Sequence, residues 1–217
     1  MIRWTPETTE RIIKSNAEIV SRYSGLPPDH PEYIQEGGVP SGHRVRVPDR
    51  PYEAIVEELH GPLPDAPMET IVNDRIRQIV EELEPNAHQF FPTTLFLPDG
   101  SRDDSWWNIR YCHRVDAIAI EHCEDVHEYH PKPEQYPNWY YYRSNEDRRM
   151  KLVVWKDRVS GMAGWFDWRF RRTLFSEALG RRFISEGIRG YRLRPEEDLN
   201  RSNHVEGIHP AGAALSG

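Results

Sequence analysis

Between Glu121 and His130 the chain reads EHCEDVHEYH, with three histidines, one cysteine and four carboxylates in ten residues. Imidazole and thiolate are the usual zinc ligands, so His122, Cys123, His127 and His130 are the residues from which a metal-dependent catalyst would be built. Nine residues further on stands the aromatic run Trp139-Tyr-Tyr-Tyr142. Together the two runs also fit a different chemistry: an acidic, aromatic face that grips a basic protein. The metal reading lacks a recognised signature, since the chain has neither HExxH nor CxxC. An ordinary polar loop explains the cluster as well.

Nucleophilic catalysis finds less support. There is no GxSxG elbow, no P-loop and no GxGxxG. Cys112 and His113 are adjacent, but neighbours in a strand point to opposite faces and cannot form a catalytic pair there. The large rings are a stronger signal. Trp106-Trp107, Trp139–Tyr142 and Trp165-Phe166-Asp167-Trp168 each place bulky aromatics side by side. In a strand one of two neighbours faces the core and the other faces away. The outward ring is then either exposed, as at protein-binding hot spots, or covered by a second layer. The Pro-flanked Trp139–Tyr142 run is expected at the surface. The arginines between Arg169 and Arg194 are expected to pair with acids of the rest of the chain.

The elements that position these residues follow from periodicity and punctuation. Thr5-Pro6 opens a first helix with an apolar stripe of Ile12, Ile13, Ile19, Val20 and Tyr23. Residues 26–67 are rich in Pro and Gly, with a short strand expected at His43–Val47 and a brief helix at Tyr52–Leu59. Asn73 caps a helix whose Ile76, Ile79, Val80 and Leu83 follow the i, i+3, i+4, i+7 pattern, and Pro85 stops it. HQFF-PTTLF then reads as a strand closed by Pro-Asp-Gly at 98–100. Trp106–Cys112, His113–Ile120, Lys151–Trp155 and Gly164–Phe170 are strand-like, and residues 121–150 form a loop. Ser176 caps a helix through Ser185, Gly187 ends it, and a last strand starts at Gly190. Asn73 and Ser176 open two units of one plan, which a degenerate duplication and common β-cap-helix grammar explain equally well. The fold class is α+β: a mostly antiparallel sheet packed against a few amphipathic helices. Three parts are expected: an N-terminal helix and Pro/Gly-rich extension (1–67), an α+β domain (68–200) and a mobile tail (201–217).

The 217 residues suffice for a core without disulfides, and two cysteines allow at most one bridge. Net charge is −7, unevenly spread: residues 1–150 hold 16 Lys and Arg against 27 Asp and Glu, and residues 151–217 hold 12 against 8. An acidic body repels phosphate backbones, so nucleic acid is not an expected partner. It steers basic proteins instead. No apolar run approaches the roughly 18 residues of a membrane span, and the N-terminus lacks a signal-peptide core. A cytoplasmic protein is expected.

The segments IVNDRIRQIVEELEPNAHQFFPTTLFLPDG, WWNIRYCHRVDAI and LFSEALGRRFISEGIRGYRL resemble the immunity proteins of bacterial polymorphic toxin systems, in the family named after a myxobacterial immunity domain. The matching elements are Asn73–Leu83, Phe90–Thr93, Val115–Ile118 and Leu174–Tyr191, within about residues 68–195; residues 1–67 carry no recognised motif. Asn73 stands where members usually have Ser, and Ala119 where many have a second Asp. The resemblance implies a non-enzymatic protein without cofactor or metal. It is made beside a secreted toxin, often one delivered by contact-dependent or type VI machinery, and binds that cognate toxin in the producing cell. On that reading Glu124, Asp125, Glu128 and Tyr129, with Trp139, Tyr140 and Tyr141, form the partner-binding face. The alternatives are a regulatory or scaffold protein with another partner, and a metal-dependent enzyme centred on His122, His127 and His130.

Overall fold

The computed structural model describes residues 1–23, 42, 44–123, 126–128, 140–142, 153–167 and 172–191; for 16–23, 126, 128 and 140–142 the description is of the backbone. Strand β1 (Ile2–Trp4) leads into helix α1 (Pro6–Tyr23). Strands β2 (Tyr52–Val56) and β3 (Ile71–Asn73), helix α2 (Asp74–Leu83) and strands β4 (Gln89–Phe96) and β5 (Arg102–Arg110) follow. Five strands make one sheet in the order β1-β2-β4-β5-β3. The β2/β4 pair is parallel and the other pairs are antiparallel. A parallel pair needs a long crossover; here residues 57–88, including β3 and α2, supply it.

Beyond β5 come β6 (Arg114–Val115), β7 (Val126–Glu128), β8 (Tyr140–Tyr142), the short helix α3 (Lys156–Val159), β9 (Gly164–Asp167), β10 (Arg172–Phe175) and α4 (Glu177–Ser185). Strands β10, β9 and β6 form a second sheet, and β7 pairs with β8. This is an α+β fold, and antiparallel ladders predominate among the described strands.

Both faces of the large sheet are covered. Ile71 and Val72 point to opposite sides, as period-2 geometry requires. Val72 and Ile109 meet Ile76, Ile79 and Val80 of α2 and Leu179 and Phe183 of α4. Ile71, Ala54, Leu95 and Trp106 pack on the far side with Ile2, Trp4 and Met68. Each such fully buried aliphatic or aromatic side chain stabilises the fold by roughly 1.5–3 kcal/mol relative to exposure. The adjacent pair Trp106-Trp107 therefore splits between two covered faces. The ring of Trp107 lies under the Arg77 guanidinium at 3.9 Å, and its Nε1 donates to Asp74 at 2.7 Å.

The caps form as the sequence predicts. Asn73 Oδ1 accepts the Ile76 N–H at 3.1 Å, and Ser176 Oγ accepts the Leu179 N–H at 3.2 Å. Gly187, at φ +65°, ends α4 in a Schellman turn: Gly187 N–H donates to Ile184 and Ile188 N–H to Phe183. Asp65 ties the two helical units together. Its Oδ1 accepts Asn73 Nδ2 at 2.7 Å and its Oδ2 accepts the Arg189 N–H at 2.9 Å. Gly190 passes so close to this segment that a Cβ there would lie 2.1 Å from the Ala66 carbonyl oxygen.

Several expectations are corrected. Tyr52–Val56 is a strand and not a helix: Tyr52, Ala54 and Val56 are all buried, a period of two, and β1 and β4 satisfy the backbone on both sides. Residues 44–48 form no strand, because the Gln89 side-chain amide takes the partner's place; it accepts from Val45 N at 2.8 Å and donates to Val45 O at 2.9 Å. The run His113–Ile120 is strand only at Arg114–Val115, since the Asp167 carboxylate and then residues 153–155 take over its bonding. In α1 Ile13 is 62% exposed, while Thr8 is buried and its hydroxyl accepts the Glu53 N–H. Cys112 and Cys123 are free thiols.

Candidate functional site

Of the predicted partner-binding residues, Glu124, Asp125, Tyr129 and Trp139 lie outside the described residues. The backbones of Glu128, Tyr140 and Tyr141 fall in the β7/β8 ladder, where Glu128 pairs with Tyr140 and His127 with Tyr141. The chain thus brings the acidic run and the tyrosine run together, although eleven residues separate the two strands. His127 is exposed.

The histidine cluster can be traced in part. His122 is exposed at the end of a single 3-10 turn, Ile120–His122. Its Nε2 lies 3.8 Å from Glu121 Oε1. The Cys123 sulfur is turned inward, accepting the Val153 N–H at 3.2 Å and approaching the Ala119 carbonyl at 3.3 Å. His130 lies outside the described residues. Among the described residues no group of three or more His, Cys, Asp or Glu side chains is arranged to hold a metal.

A different titratable group is assembled where α2 ends. Glu84 Oε1 lies 2.5 Å from His113 Nε2, and Oε2 lies 3.3 Å from His88 Nε2. The same Oε2 accepts the Ala163 N–H at 2.7 Å. The His88 side chain is wholly buried, and its Nδ1 accepts the Cys112 N–H at 3.3 Å. That bond fixes the tautomer: Nδ1 is unprotonated, so the neutral ring carries its proton on Nε2, facing Glu84. Burial holds the His88 pKa down, to about 4 from an ordinary 6.5, against the opposing pull of Glu84. The group joins α2, the β5/β6 link and the approach to β9. No local sequence signal announces it: Pro85 ends the helix between Glu84 and His88, and both histidines are brought to Glu84 only by the fold.

Carboxylates also gather at the β4/β5 turn. Asp99 accepts the Ser101 hydroxyl and N–H, and Asp104 accepts Arg102 and the Thr94 hydroxyl. These bonds hold both carboxyls below their ordinary pKa, so the tip stays negative well into acid.

A family model for the immunity protein family Imm11 matches residues 7–198. The match takes in α1 and β2, which the motif resemblance did not reach. A search of curated proteins found no match.

Proposed function

Because the chain belongs to the Imm11 immunity protein family, we propose that it protects the cell that makes it by binding a cognate toxin and blocking it stoichiometrically, in the cytoplasm. No bond is made or broken by the immunity protein itself. The match over residues 7–198 carries this reading, and the acidic balance and the Trp139–Tyr142 run support its physical form. The proposed face comprises Glu124, Asp125, Glu128 and Tyr129 with Trp139, Tyr140 and Tyr141. Its carboxylates steer a basic cleft into place and set the discrimination between toxins. Its rings supply the affinity, since a few buried aromatics dominate most interfaces.

The test is co-expression with the polypeptide encoded beside it. Rescue from toxicity together with co-purification at fixed stoichiometry is the expected result; toxicity unrelieved by the intact protein removes the reading. Within the complex, Trp139→Ala and Tyr141→Ala are each expected to weaken binding by about 2 kcal/mol or more, measured by calorimetry. Unchanged affinity in both variants moves the interface elsewhere.

A further inference from the structure

Beside the last residues of β5 lies a groove of about 400 Å³, within the range of small-molecule sites. Its lining includes the rings of Trp4, Tyr52, Phe91 and Phe166 and also Glu69 and Arg114. Arg110, the last residue of β5, lines it. The guanidinium of Arg110 is poorly matched to its surroundings. Its Nε and Nη2 are shielded from water and have no hydrogen-bond partner. Among the described residues no carboxylate forms an ion pair with it, although Glu69 lines the same groove; Cys112 and Tyr52, which act on it, have their pKa raised by burial and are neutral at pH 7. Gln89, directly across the ladder from Arg110, has its amide engaged by Val45. Nearby Arg114 is differently placed, with its guanidinium 4.6 Å over the Phe166 ring.

Guanidinium N–H groups shielded from water without acceptors are costly, and a partly exposed arginine that keeps two of them leaves room for an arriving acceptor. From the orphaned guanidinium and the flat walls we infer that the groove is a binding site for an organic carboxylate carried on an aromatic body. The planar donors of a guanidinium match a carboxylate. The partly exposed rings of Trp4 and Phe166, backed by the buried Tyr52 and Phe91, take the flat remainder. The carboxylate belongs either to a free aromatic acid or to the C-terminal aromatic residue of a polypeptide. The site is independent of toxin binding and stands or falls without it.

Two measurements test it on the full-length protein. First, calorimetric titration with phenylacetate and N-acetylphenylalanine is expected to show saturable binding, with phenylacetamide and N-acetylphenylalanine amide at least about tenfold weaker because they leave the charge unmet. Preference for N-acetylphenylalanine assigns the site to a chain terminus, and equal or better binding of phenylacetate assigns it to a free acid. Second, Arg110→Met removes the unpaired cation at similar volume. It is expected to abolish acid binding while keeping or raising the Tm, since two shielded N–H groups without acceptors destabilise the empty protein. Acids that bind no better than their amides, or not at all, overturn the proposal. So does an Arg110→Met protein that melts well below the parent or fails to fold, because Arg110 is then a structural residue.

Discussion

At the scale of single residues, His88 makes the stability of the molecule depend on pH. Its folded pKa of about 4 lies below the ordinary 6.5. Between those values the unfolded chain binds the proton and the folded one does not, so unfolding is favoured as pH drops. The contribution is fully present above pH 6.5 and is lost progressively as pH falls towards about 4. The sign follows from geometry: Nδ1 already accepts the Cys112 N–H, so a second ring proton has no acceptor and breaks that bond. His88→Gln retains an amide oxygen to accept from Cys112 and an NH₂ to donate to Glu84, and does not titrate. Urea unfolding at pH 7.5, 5.5 and 4.5 is expected to show a shallower pH slope for His88→Gln than for the parent. Superimposable slopes would assign the acid sensitivity to other groups.

At the scale of elements, α2 and α4 are laid down by local signals and then joined by contacts no local signal carries. Both follow a strand, both start at a side-chain cap, and they pack against each other beneath the sheet. Asn73 has two tasks, capping α2 through Oδ1 and holding Asp65 through Nδ2. Asn73→Ala loses both and is expected to cost about 2 kcal/mol; Asn73→Ser restores the cap alone and is expected to cost about 1 kcal/mol, by chemical denaturation. Equal losses in the two variants would show that the Asp65 clasp contributes nothing or that Ser cannot cap here. The caps, the Pro-Asp-Gly turn and the buried face of α2 were readable because each depends on residues within a turn or two of one another. Strand β2 was not: YEAIVEEL has helical propensity, and only β1 and β4, distant in sequence, decide the matter. The same holds for the Gln89 amide bonded to Val45, which replaced an expected strand. It holds too for Arg110, which reads as an ordinary strand residue until its neighbours are known to be neutral. The clustered histidines drew attention by composition, whereas the histidines that share Glu84 are dispersed along the chain.

At the scale of the whole molecule, charge decides what the surface presents. The C-terminal third is rich in arginine, but its charge is partly spent within the fold. Arg182 reaches Glu82 of α2 at 3.1 Å and also binds Glu186; Arg181 pairs with Glu177; Arg75 of α2 binds Glu186 in return. These pairs are exposed and add little stability singly, yet each sets a carboxylate against one of the arginines. The acids of the β4/β5 turn remain ionised, and the sequence as a whole carries −7. A basic toxin cleft would therefore approach down a favourable potential whose reach is set by salt, roughly 30 Å at 0.01 M and 8 Å at 0.15 M. Steering of this kind acts on encounter and not on the docked complex. Stopped-flow association measured between 0.02 M and 0.5 M salt is expected to slow by about tenfold or more, while the dissociation rate changes by less than about threefold. A dissociation rate that carries the salt dependence instead would place the carboxylates inside a desolvated interface, each meeting a cation directly. An association rate indifferent to salt would mean that the partner's cleft is not basic, and that shape alone selects it.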